Sequence, residues 1–518
     1  WTDGDELYIE GVGGSSGTVK IGENSSFGIS LDLGASFKLD TNSRISLSNN
    51  DGGGTSGEDS TTGNTIFGYL ASPSVSSSGF NNVAVGHKSL NALTHGDDNT
   101  AIGTLSMYRA TSSPQKNVAV GGLSMSGNWT SADVDGCVVV GYDALSGTLT
   151  TGATGSTAIG YQSLKALTSG AGNVAVGYQT MDAITDGARN VGLGYGALSA
   201  STSAIDVVAI GKDAIADGNV TAAAVGSIGI GSSALKVLTS GARNMAIGYT
   251  AGGLITDGTD NTLIGYQSGN QGTYGIVGGD YNTGVGAYSM GASAGAAITG
   301  SSNTAIGYNA MLEAQGAVAN NTAVGATALQ DITTGQANVA VGHQSLWNGT
   351  DAAYNVAVGK NSQHDNITGD YNTSLGYESL YKNTAAGNTS IGAEAGMWTT
   401  GANNTYLGYG SGKGASGADA NNVGIGYNAL LLVTDGGYNV VIGSESGDAL
   451  TTGDENVFIG QSSGSATQAV QLAVGIGAAA LGGGVVGTGA NGTVAVGASA
   501  LQSLTSGAGN AAVGYQAG

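Results

Sequence analysis

Proline is nearly missing from this chain, with two in 518 residues. Almost no segment is therefore barred from a hydrogen-bonded ladder by a lost backbone N–H. Cysteine is rarer still. Cys137 stands alone, so no intrachain disulfide framework can staple the fold. Charge is sparse at 10% of residues and lopsided, with 36 acidic against 14 basic side chains and a net charge of −22. Without a basic patch to displace counterions, nucleic acid is excluded as an expected partner. No apolar run reaches the roughly 18 residues of a transmembrane helix, so no membrane insertion is expected. Helical periodicity is also lacking, which turns the reading toward strands and turns.

What fills the chain instead is glycine, 95 residues of it, arranged in a repeat. The segment Asn82-Val-Ala-Val-Gly86 recurs with small changes twenty-six times between Asn64 and Gly518. Thirteen of the twenty-five spacings are 17 residues and the rest run from 16 to 21. With the Asn numbered 0, that position is Asn in twenty copies and position +4 is Gly in all twenty-six. Asn82, Gly86, Asn173, Gly177, Asn338, Gly342, Asn439 and Gly443 exemplify these two structural positions. Position +3 is always Val, Ile, Leu or Phe, +1 is mostly Val or Thr, and +2 is mostly Ala, Gly or Ser. Position +7 is Ala or Ser except at Thr180. Position +8 is Leu, Met or Ile in seventeen copies and Gly in seven.

A short unit repeated this often stacks on itself. Seventeen residues are too few for a βαβ crossover. They fit one coil of a β-solenoid with two short strands, so the array predicts an all-β rod of about 26 coils. Stacked Asn amides would form a ladder along it. Positions +1 and +3 share one face of the strand, and their apolar character predicts that they line the interior with +8 and +11. The small +2 and +7 residues then lie outside, where another chain can approach closely. That predicts a parallel homotrimer.

Residues 1–60 lack the repeat. Runs such as Thr18-Val-Lys-Ile21 and Arg44-Ile-Ser-Leu47 alternate like short strands. They predict an N-terminal cap or connector, with 61–518 as one solenoid array. The start at Trp1 and the stop eight residues into the last copy suggest a segment or a processed chain.

Catalytic constellations are lacking. His87, His95, His343 and His364 have no partner at metal-ligand or triad spacing. No enzyme activity, metal or cofactor is expected. Tyr follows the +4 Gly in twelve copies, which suggests a ring ladder. Trp129, Trp347 and Trp398 fall outside the expected core positions and read as exposed contact candidates for a host glycan or another subunit.

The motif Asn-Val-Ala-Val-Gly-Tyr-Gln-Ala/Ser-Leu with its Thr-Gly turn resembles the repeats of bacteriophage tail fibres. It also resembles the head coils of trimeric autotransporter adhesins. Both resemblances imply a left-handed parallel β-roll assembled as a homotrimer. The first implies a virion fibre shaft that extends toward the host and helps attach to it. Its partners would be copies of itself, other tail or fibre proteins, and a host-surface glycan or protein receptor. The alternatives are a bacterial adhesin head at the cell surface and a self-assembling extracellular filament.

Overall fold

The computed structural model describes residues 63–518, apart from 73, 76–78, 112, 130–132, 272–273, 292–294 and 415–416. The expected N-terminal cap over 1–60 lies outside the described residues. The array forms one parallel sheet of 26 strands, from Thr65–Phe67 to Ala511–Val513. Each copy of the repeat pairs with the next in matching register, as in Val83↔Thr100, Val174↔Val191 and Val440↔Val457. The chain is thus an all-β parallel β-solenoid with a period of about 17 residues, and one coil is one repeat. Neighbouring strands lie about 4.8 Å apart, so the stack is roughly 120 Å long.

The coil that starts at Asn173 shows the construction. Val174–Val176 is the strand. Its ladder runs both ways, with Val174 N–H donating to Asn190 O and Gly177 N–H to Ile159 O, each at 2.8 Å. No second three-residue strand follows, contrary to the sequence expectation. Gln179 (φ 49°), Met181 (φ 53°) and Arg189 (φ 58°) are left-handed, and the equivalent residues are so in most coils. Positive φ at +6, +8 and −1 bends the backbone into consecutive turns that cannot extend. Each such residue costs on the order of 1 kcal/mol. Bonds between coils offset that cost: Gln179 N–H reaches Tyr161 O at 2.9 Å, Met181 N–H reaches Ala197 O at 2.9 Å and Thr168 N–H reaches Thr185 O at 2.8 Å. What remains of a second strand is isolated bridges such as Ala188↔Ile205.

The +4 glycine is fixed twice over. Gly86, Gly177, Gly342 and Gly443 have φ of 128°, 139°, 134° and 140°. A Cβ at Gly86 would also lie 2.6 Å from the carbonyl oxygen of Gly103 in the next coil.

The strand faces the opposite way from the sequence expectation. The middle residue, +2, points inward and is buried from Ala84 to Ala495. Positions +1 and +3 are half-buried or exposed, as at Ile102, Val138, Leu375 and Leu407. The interior is lined by positions 0, +2, +7, +8 and +11, represented by Asn173, Ala175, Thr180, Met181 and Ile184. The coil is so narrow that only a small side chain fits under the strand, and the β-branched residues form its flat outer face. This overturns the argument for a close chain–chain surface at +2 and +7, because both positions are already filled from within.

Volume is conserved inside the coil. Where +2 is Leu, Tyr or Phe, +8 is Gly in the same coil and in the preceding one. Leu263 sits with Gly269 and Gly252, Tyr406 with Gly412 and Gly396, and Phe458 with Gly464 and Gly447. A Cβ at Gly464 would lie 2.7 Å from the Phe458 ring. The single Thr at +7, Thr180, is met by Gly192 at the next +2, where a Cβ would lie 2.8 Å from the Thr180 methyl. Interiors this tightly packed tolerate little added volume.

Longer coils carry their extra residues as small inserts. Thr151–Ala153, Ala222–Ala224 and Thr488–Ala490 are single 3-10 turns, each burying one alanine. Asn270–Gln271 pairs with Tyr274–Gly275 as an antiparallel hairpin.

Candidate functional site: a polar-cored segment sheathed by aromatic rings

The asparagine ladder runs inside the solenoid. Asn82 donates from its backbone N–H (2.8 Å) and its Nδ2 (3.1 Å) to Asn64 Oδ1, and from Nδ2 to Gly96 O (2.7 Å). Asn338 and Asn439 repeat this on Asn321 and Asn422. Asn173 begins a new run, accepting from Asn190 and donating to Gly187 O at 2.8 Å. Below it the ladder is broken by Cys137 and Ser156. Cys137 is buried, its backbone N–H bonded to Asn117 Oδ1 at 2.9 Å and its thiol directed at Ala153 O at 3.4 Å. Burial pushes that thiol up to about 11, so it stays protonated and unreactive at neutral pH.

Trp129 is not exposed, which corrects the reading of it as a surface contact. It is 2% accessible, fills the lengthened coil between Asn117 and Cys137, and donates from Nε1 to Met125 O at 3.4 Å. The extra residues of that coil give the indole room that a 17-residue coil lacks.

Trp347 and Trp398 are half-buried on the outside and belong together. Trp347 stacks on His364 with centroids 4.8 Å apart, and His364 stacks on Tyr381 at 4.9 Å and 9°. Trp398 meets Tyr381 edge-on at 5.8 Å. The sequence hides this strip because its members are three residue types spread over four coils. Trp347, His364 and Tyr381 each follow a buried +8 residue: Leu346, Gln363 and Leu380.

Behind the strip the interior changes character. The apolar core that begins at Ala71 ends at Ala357, and a second begins at Ala395. Between them the inward positions are largely polar: Ser362, Gln363, Asn366, Ser374, Ser379, Asn383 and Ser390 are all buried. Gln363 Nε2 donates to Val356 O and Ser374 Oγ, each at 2.9 Å, and its Oε1 accepts from Asn366 Nδ2 at 2.9 Å. Ser390 Oγ has no partner. Further along, Asp419 is buried and accepts from the Tyr406 hydroxyl and, at 2.8 Å, from Thr399 Oγ1. Burial raises the Asp419 carboxyl above the usual carboxylate range. It also raises the Tyr406 phenol well above its ordinary value, with the neighbouring Asp419 charge adding to the effect.

The chemistry available here is limited. His364 Nδ1 lies 2.8 Å from Asp365 Oδ1. Among the described residues, no three His, Cys, Asp or Glu side chains converge as a metal-ligand set. His364 is sandwiched between the Trp347 and Tyr381 rings, an arrangement that braces successive coils.

Two further surface features run along the solenoid. Tyr142, Tyr161, Tyr178 and Tyr195 form an exposed column at +5, with centroids 6.0, 5.0 and 5.2 Å apart. Beside it lies the outward apolar face of +1 and +3. These features define the class of the molecule, a parallel β-solenoid repeat protein. No protein-family model matches the chain, and no curated protein matches it.

Proposed function

We propose that this chain is the shaft of a virion fibre, a tail-fibre-like rod that extends toward a host surface and helps attach to it. The observation that carries the reading is the unbroken in-register pairing of all 26 strands. Backbone hydrogen bonds run along the whole array, a construction that resists bending and proteolysis. The large acidic excess keeps such a rod soluble by like-charge repulsion. The repeat's resemblance to tail-fibre repeats supports the virion setting. Its partners would be further copies of the chain, the fibre proteins it joins, and a glycan or protein receptor on the host.

The homotrimer stands in this proposal on a different face from the one the sequence suggested. The outward +1 and +3 columns present Val, Ile, Leu and Thr along the whole sheet, including exposed Val138, Ile159, Val356, Ile391 and Ile459. Contiguous exposed apolar surface of this extent marks association, and a second copy has the same repeat spacing. Electron microscopy with a solution mass tests both parts. The reading expects rods at least about 120 Å long with the mass of three chains. Lys at Val174, Val176, Val339 and Val356 together should lower that mass while the fold persists. A compact particle contradicts the shaft, and a monomer contradicts the trimer.

A further inference from the structure

We propose that the tyrosine columns are oxidative cross-linking sites, where neighbouring rings on successive coils join as intrachain dityrosines. The rings are accessible, with Tyr161, Tyr178 and Tyr195 at 40%, 44% and 53% exposure. They are also paired in advance. Tyr161–Tyr178 and Tyr178–Tyr195 stack at 5.0 and 5.2 Å and within 12° and 3° of parallel. A second column at position −1 repeats the geometry, with Tyr354 and Tyr371 at 5.0 Å and 4°. Tyr249–Tyr266 and Tyr409–Tyr427 stack at 5.4 and 5.8 Å.

Ring stacking is a structural role, and it does not use up the phenols. The oxidant is hydrogen peroxide acting through a haem peroxidase. Each phenol gives up one electron and its hydroxyl proton and becomes a phenoxyl radical. Two such radicals on adjacent coils form a carbon–carbon bond between their ortho positions. The two ring hydrogens then move to the oxygens and restore the phenols. The pair loses two electrons and two protons in all, and the peroxide takes them up as it is reduced to two waters. Free tyrosines must find each other by diffusion. Here the coil spacing holds the second ring beside the first, which raises the effective concentration of the partner. The product ties one coil to the next across the outside of the hydrogen-bond ladder.

The test treats dilute full-length protein with a haem peroxidase and hydrogen peroxide, then maps cross-linked peptides by mass spectrometry. Adducts lacking two hydrogens should dominate at Tyr161–Tyr178, Tyr178–Tyr195 and Tyr354–Tyr371. They should exceed those at Tyr288–Tyr308, whose rings stand at 83° and 6.2 Å, by roughly tenfold. Tyr438, flanked in its column by Asn421 and Glu455, should give few. Tyr178→Phe keeps a ring in the stack and should remove both of its adducts while leaving Tyr354–Tyr371 intact. Adducts spread evenly over exposed tyrosines, adducts only between chains, or none at the stacked pairs would overturn the proposal.

Discussion

Coils between Asn82 and Trp347 and coils between Asn355 and Asn422 share one backbone but not one interior. The first set packs Ala, Leu, Met and Ile beneath the strand. The second packs Ser, Gln, Asn and a carboxylic acid alongside a few apolar residues such as Leu380 and Ala395. In the first set the inward Leu, Met and Ile side chains contribute by leaving water, about 1.5–3 kcal/mol for a buried Leu or Met. In the second, hydrogen bonds largely replace the loss of water, and each nets only about 1 kcal/mol. The strand register is unchanged across the boundary, as Val356↔Thr373 and Thr373↔Thr389 show. The solenoid therefore does not depend on an apolar core at every coil. Backbone pairing and the asparagine ladder carry it through the polar stretch, and the Trp347–Trp398 strip braces that stretch from outside. In a molecule whose coils touch only their neighbours, stability is a local property, so the two regions should respond differently to the same kind of change.

The largest difference should follow truncation. Leu164→Ala removes most of a fully buried side chain and should cost its coil about 2–5 kcal/mol. Gln363→Ala should cost about 1–3 kcal/mol, chiefly by leaving its hydrogen-bond partners unsatisfied. Hydrogen exchange resolved to each coil reads both. A smaller effect of the opposite sign is expected from Gln363→Leu combined with Ser374→Ala, which restores the majority pattern. Asn366 Nδ2 keeps its bond to Gly369 O, so removing Gln363 and Ser374 together should leave that coil unchanged or more protected by about 1 kcal/mol; a large loss would show that the network is needed as it stands.

Carboxyls raised by burial give both regions a pH response. Asp419 has its carboxyl raised by burial in the folded state. The folded state therefore favours the neutral acid. The associated stability is fully present below the unfolded carboxylate value of about 3.9, and it is lost as pH rises through the raised folded value. Asp419→Asn should remove this dependence and protect its coil at neutral pH, and Asp182→Asn should do the same for the coil of Asn173, where burial also raises the carboxyl. The smallest effect is expected on the surface. Arg189 reaches Asp206 at 2.6 Å in the next coil, but both are solvent-exposed, so Arg189→Gln should leave unfolding midpoints unchanged.

The fold was legible because Asn at 0 and Gly at +4 answer to backbone geometry, which recurs identically in every coil. Facing was harder. Strict alternation places +1 and +3 opposite +2, but hydrophobicity chose the wrong side, because Val and Ile suit the outer face of a narrow sheet as well as a core. The sequence does hold the deciding signal. Leu263, Tyr406 and Phe458 at +2 each coincide with Gly at two +8 positions, a pairing that only a shared interior explains. The left-handed residues at +6 and +8 were not legible, since Gln179 and Met181 have no side-chain preference for that region. The aromatic strip was missed because single-residue periodicity does not register Trp, His and Tyr as one column.

Which way the strand faces is the central claim, and one comparison tests it directly. Ala175→Asp and Val176→Asp place the same carboxylate on adjacent residues of one strand. Hydrogen exchange across residues 156–207 should show protection lost in Ala175→Asp, where the charge enters the interior, and kept in Val176→Asp, where it reaches the outer face. Protection kept in the first and lost in the second would contradict the account.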